Sequence, residues 1–235
     1  MVHSEDVVVT VRWADNNNQD GQRPEELTLR LLADKLDAGR TATLAGDSEA
    51  DTWVLRMDKV PVWSTVNTGR EIDYTYLLDA ASASSLEAAG YSVQYNGYEL
   101  GEGSEPGGTL LYTLDLSRDA EIADYTATVT WDDDTDRDGQ RPESLTVELY
   151  ADGESTGLTA KMTGGNEAES WNHVFEALPV HADQGNVIVY TLALVGDAPS
   201  GYTVVPDQTK PAMELKNEIS RTDVRSEERR VGKEC

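Results

Sequence analysis

The chain has 235 residues, with 44 acidic side chains against 19 basic ones and a net charge of −25. That imbalance repels phosphate and so excludes nucleic acid and anionic membrane surfaces as partners. No apolar run approaches the ~20 residues that a bilayer-crossing helix needs, and the opening MVHSEDVVVT has neither the apolar core nor the length of a secretory signal.

The string DGQRPE occurs twice, at Asp20–Glu25 and at Asp138–Glu143, 118 positions apart. At the same displacement Trp13 maps onto Trp131, Ala33-Asp34 onto Ala151-Asp152, Trp53 onto Trp171 and Pro61 onto Pro179. A displacement shared by two tryptophans and a proline marks two tandem copies of one domain. The expected division is 5–117 for the first copy, 118–123 for a linker, 124–220 for the second copy and 221–235 for a tail. Within that tail, Arg225–Cys235 (RSEERRVGKEC) belongs to neither repeat and reads as a translated sequencing adapter. It is set apart from fold and function, and the sole cysteine, Cys235, goes with it, leaving no disulfide or thiolate site in either copy.

Period-two alternation runs through both copies in order. Val7, Val9, Val11 and Trp13 form the first apolar face, matched by Tyr125, Ala127, Val129 and Trp131. Leu27, Leu29 and Leu31 follow, matched by Leu145, Val147 and Leu149; then Trp53, Leu55 and Met57, matched by Trp171, His173 and Phe175. Ile72, Tyr74, Tyr76 and Leu78 correspond to Ile188, Tyr190, Leu192 and Leu194. Each set is one face of a half-buried strand. Ala80–Ala89 is a candidate short helix in the first copy, where the second has only Gly196–Ser200. Short strands with Gly/Asp/Asn/Pro turns predict an all-β chain: two tandem antiparallel Greek-key β-sandwiches.

Few residues carry chemistry. Asp134, Asp136 and Asp138 match the D-x-D-x-D-G opening of a calcium loop, making them weak calcium candidates. The twelfth position, where a bidentate glutamate belongs, is Leu145; the competing reading is a hydrogen-bonded Asx turn. Arg23 and Arg141, beside that loop, are expected to clamp its carboxylates. Of the histidines, His3 is terminal, His181 lies in a loop, and His173 reads as a core or rim residue. No Ser/His/Asp arrangement, phosphate loop or metal-ligand cluster recurs in both copies, so neither an enzyme nor a cofactor is expected.

A Trp-ended strand, an acidic loop into DGQRPE, Tyr150–Gly153, a Trp strand closed by Leu178-Pro179, Val189–Thr191 and Gly201–Thr203 follow in order. This order resembles the Cna protein B-type domain of Gram-positive bacterial surface proteins. The resemblance covers nearly all of the second copy; the first matches well to Pro61 and more loosely beyond it. It implies a prealbumin-like sandwich serving as a stalk or spacer at the cell wall, with neighbouring repeats as partners. The alternative is a module that contacts host protein or glycan through variable loops such as Ala80–Ala89 and Glu102–Gly108, with Tyr95 and Tyr98 the nearest aromatics.

Many members of that family join a first-strand lysine to a last-strand Asn or Asp, promoted by a buried glutamate. Here the lysine position is Val11 and Val129, the glutamate position is Leu78 and Leu194, and only the acceptor position, Asp115 and Asn217, keeps a suitable residue. No isopeptide bond is expected, since without an amine there is no nucleophile.

Overall fold

In the computed structural model, residues 4–64, 69–101 and 108–217 are described. The chain divides into two compact units, Met1–Glu121 with His181–Asn186 and Ile122–Val180 with Val187–Cys235. Part of the expected loop Glu102–Gly108 and the tail beyond Asn217 lie outside the described residues.

The first unit contains β1 (Ser4–Ala14), β2 (Glu26–Ala33), β3 (Leu36–Ala45), β4 (Thr52–Pro61), β5 (Tyr74–Leu78), α1 (Ala80–Ala88), β6 (Ser92–Tyr95), β7 (Glu99–Leu100) and β8 (Thr109–Ser117). One sheet runs β4-β1-β8-β6 with β7 also on β8, and the other β3-β2-β5. The second unit repeats the plan with β9 (Ile122–Asp132), β10 (Leu145–Ala151), β11 (Glu154–Met162), β12 (Ser170–Pro179), β13 (Tyr190–Leu194), β14 (Tyr202–Pro206) and β15 (Ala212–Asn217). Its sheets run β12-β9-β15-β14 and β11-β10-β13.

The alternation read from sequence is the alternation of burial. Val7, Val9 and Val11 of β1 and Leu27, Leu29 and Leu31 of β2 are fully buried and face one core. Val129, Val147, Leu149 and Leu215 do the same in the second unit. Each such side chain stabilises the sandwich by roughly 1.5–3 kcal/mol. His173 departs from this pattern. It takes the inward register position opposite Ala127, yet it is exposed and rests edge-on against Phe175 at 4.9 Å.

The sheets are not wholly antiparallel. The first and last strands of each unit lie side by side in parallel, β1 with β8 from Asp6↔Thr109 to Ala14↔Ser117, and β9 with β15 from Ala212↔Thr128 to Lys216↔Asp132. Alternation alone gives the faces of a strand but not the direction of its neighbour.

The expected helix is α1, one residue shorter than Ala80–Ala89. Asp79 caps it by accepting from Ser82 N at 2.7 Å, and Leu86 is fully buried in the core. Ser82 Oγ accepts from Thr28 N at 2.8 Å, fastening the helix to β2. The residues expected to link the copies are also engaged. Arg118 donates to Ala89 O at 2.8 Å and pairs with Asp20, Glu121 N donates to Asp20, and Ile122 already opens β9.

Candidate functional site: a duplicated arginine clamp

The acidic loop is built from residues that tolerate left-handed backbone. Asn16, Asn17 and Asn18 have φ of 52°, 58° and 59°, and Asp134, Thr135 and Asp136 have 51°, 66° and 53°. Three successive residues in this region form a left-handed turn, for which Asn and Asp are the best non-glycine choices. The turn carries the chain back so that the arginine of DGQRPE points inward. Asn18 Oδ1 accepts from Arg23 N at 2.9 Å, and Asp136 Oδ1 accepts from Arg141 N at 2.8 Å.

Each arginine then grips the aspartate that opens the loop. Arg23 Nε donates to Asp15 Oδ2 at 3.1 Å and Nη2 to Oδ1 at 2.6 Å. Arg141 makes the same pair of bonds to Asp133, at 3.0 and 2.6 Å. The remaining guanidinium nitrogen, Nη1, donates to Ala50 O or Ala168 O, each at 2.7 Å. Both ion pairs are almost wholly buried. The guanidinium lies over the first-strand tryptophan, 4.6 Å from the Trp13 centroid and 4.7 Å from that of Trp131. Trp53 and Tyr91 pack edge-on against Trp13; Trp171 and Tyr202 do so against Trp131.

A tyrosine completes each clamp. Tyr91 OH donates to Asp15 Oδ2 at 2.6 Å and Tyr202 OH to Asp133 Oδ2 at 2.8 Å. Burial pushes both carboxyls up, but the hydrogen bonds from arginine, tyrosine and backbone, with the guanidinium charge, outweigh it and hold them below the ordinary value. Burial and the neighbouring carboxylate push the Tyr202 phenol up to about 12, so it stays a donor.

The expected arginine clamp is therefore present, although its carboxylates are Asp15 and Asp133 rather than the alternating acids of the calcium motif. Asp136 caps a backbone amide, Asp134 is exposed, and Asp138 accepts from Asn217 at 3.4 Å. Among the described residues no three His, Cys, Asp or Glu side chains converge as metal ligands. The tyrosines of the clamp were missed in the sequence reading. Their signal was the repeated Gly-Tyr at Gly90-Tyr91 and Gly201-Tyr202, since a buried phenol needs a partner.

Val11 and Val129 are fully buried, Leu78 is buried, and Leu194 is half-buried against the second core. The two acceptor positions differ. Val11 pairs with Leu114 and Arg12 with Asp115, which places Asp115 on the opposite face of the sheet from Val11. There Asp115 accepts from Asn96 at 2.7 Å. Asn217 does lie on the inner face and is buried, but Val129 pairs with Met213, four residues before it. The candidate binding aromatics are both exposed, with one ring face held: Tyr95 lies 5.5 Å from Tyr76 and Tyr98 5.5 Å from Tyr112.

Paired two-sheet sandwiches, each closed by parallel first and last strands and pinned by the same Arg-Asp-Tyr-Trp cluster, define a class of tandem β-sandwich repeats. The sequence model of the Cna protein B-type domain matches residues 7–101 and 125–218, and the chain belongs to that family. The collagen adhesin of Staphylococcus aureus is 32% identical over 195 residues, covering 83% of this chain and 14% of the adhesin. The crystal structure of two B repeat units of the collagen-binding protein of S. aureus matches with a TM-score of 0.62 and 26% identity. That match covers 92% of this chain and 50% of the other. A single B repeat unit of the same protein gives a TM-score of 0.37 and 26% identity over 91% of this chain and 98% of its own.

Proposed function

We propose that the chain is a non-catalytic stalk segment of a bacterial cell-surface protein, holding a binding region away from the wall. The observation that carries this reading is the strand order at each unit's ends. Because β1 and β8 are parallel neighbours, tension on the start of β1 and the end of β8 shears their ladder and loads its bonds together. Nine residue pairs share that load in the first unit, from Asp6↔Thr109 to Ala14↔Ser117. Five share it between β9 and β15. The family and its surface-adhesin relative support the location.

In this reading the units have no covalent lock and no calcium. Valine stands at both lysine positions, and the loop acids serve a left-handed turn. Single-molecule pulling on the chain tests the proposal. Each unit is expected to unfold in a separate step releasing roughly 30–35 nm, about 3.3–3.6 Å per residue over some hundred residues. The second unit, with fewer sheared pairs, is expected to yield at the lower force. A unit that refuses to extend, with an intact mass lower by one ammonia or water, would show a bond closing it. A melting temperature raised by millimolar calcium would overturn the metal-free reading, and yielding of both units at negligible force would overturn the stalk.

A further inference from the structure

The inward stripe of β1 begins with a charge. Glu5 precedes Val7, Val9 and Val11 on the same face and is only 4% exposed. Among the described residues its carboxylate receives no hydrogen bond, and it forms the floor of a cup of about 190 Å³ at one end of the first unit. Tyr74, Tyr98 and Leu110 wall the cup, and Glu71 and Asp73 stand at its exposed rim. Burial, and then the charge of Glu71, push the Glu5 carboxyl up. A buried carboxylate with two more at its rim opposes folding unless something offsets it.

The second unit shows that the fold does not need them. At the equivalent positions it carries Ala123, Val187 and Val189, while Ile188 and Tyr190 match Ile72 and Tyr74. The first unit thus keeps an unfavourable group of carboxylates that its sister replaces with apolar side chains. Such a group fits a cation. A bare divalent ion wants six or more oxygens, whereas among the described residues no three acids converge as metal ligands and the walls of this cup include two tyrosines and a leucine. Those walls suit a cation on a hydrocarbon stem, with the ring faces adding their own attraction.

We propose that the Glu5 cup binds a primary ammonium group on an alkyl stem, the chemistry of a lysine side chain. The ammonium meets the Glu5 carboxylate at the floor, Glu71 and Asp73 draw it in, and the stem lies between Tyr98 and Leu110.

Amide-shift titration of the full chain tests this with n-butylammonium and with N-acetyl-lysine methylamide. Saturable shifts centred on Glu5, Ile72, Tyr98 and Leu110 are expected with n-butylammonium, and none with N-butylacetamide, which lacks the charge. Saturation by the lysine derivative as well identifies a polypeptide side chain as the ligand; saturation by n-butylammonium alone identifies a free amine. Glu5→Gln is expected to raise Kd by at least about tenfold, the loss of one charge-assisted hydrogen bond. The triple change Glu5→Ala/Glu71→Val/Asp73→Val, which copies the second unit, is expected to fold and to abolish binding. Shifts that never saturate, that persist in both variants, or that calcium reproduces at equal concentration would overturn the proposal.

Discussion

Arg141 holds Asp133 through two nitrogens at 3.0 and 2.6 Å, with neither side chain more than 1% exposed. A buried pair of this kind matters less for its net attraction than for what happens when one partner is removed. Arg141→Ala leaves a buried carboxylate without its counter-charge and is expected to cost about 3–5 kcal/mol. Arg141→Met with Asp133→Leu removes both charges and should cost less than the arginine change alone. Urea denaturation of the three variants measures the difference, as does the matching set at Arg23 and Asp15.

Acid should loosen both clamps. Asp15 and Asp133 have folded-state values below the ordinary 3.8, so at intermediate pH the unfolded chain holds protons that the folded chain does not. Their contribution is fully present above the unfolded value and is lost as pH falls through the lowered folded one. Glu5 acts in the other direction. Its folded value lies above 4.5, so its stabilising contribution is present below 4.5 and is lost as pH rises through the folded value. Stability profiles between pH 7 and 2 are expected to fall at the acid end in the native chain. The fall should be smaller in the Arg141→Met/Asp133→Leu variant.

Two glycines make room for the tryptophans that flank the clamps. A Cβ on Gly46 would collide with the Trp53 indole, and one on Gly164 with that of Trp171. Neither glycine has positive φ, so the conflict is with the indole and not with the backbone. Gly46→Ala and Gly164→Ala are each expected to cost about 1–3 kcal/mol as an overpacked core does. Quenching or a shift of tryptophan fluorescence should accompany the loss in melting temperature.

Much of this was legible because period-two alternation reports burial directly. Val7, Val9, Val11 and Leu27, Leu29, Leu31 were readable one residue at a time, and a clamp was readable from the place of Arg23 and Arg141 beside the acidic loop, though not that Asp15 and Asp133 are the carboxylates they grip. The parallel pairing of β1 with β8 was not readable, since a strand's pattern is the same whichever way its neighbour runs. That pairing decides the faces at its end: parity with Arg12 puts Asp115 outside, although the family resemblance makes it the acceptor position of the first copy. The acids of the second loop were ambiguous for another reason. Asp serves equally as a metal ligand and as a residue content with positive φ, and only the backbone angles separate the two uses.

Those angles single out Thr135. It sits at φ 66° in the middle of the left-handed turn, is exposed, and has a β-branched side chain poorly suited to that region. The first copy places Asn17 at the same point, with φ 58° and equal exposure. Among the described residues neither side chain makes a hydrogen bond, so an exchange between them tests backbone preference alone. Strain of this kind costs on the order of 1–3 kcal/mol, of which asparagine relieves a part. Thr135→Asn is expected to stabilise the second unit by about 1 kcal/mol, and Asn17→Thr to destabilise the first by a similar amount. Thermal and urea unfolding of the two single variants measures both. Equal stability of all three chains would mean that the turn carries no strain at its centre, and that its Asn and Asp content answers to Asp15, Asn18, Asp133 and Asp136 alone.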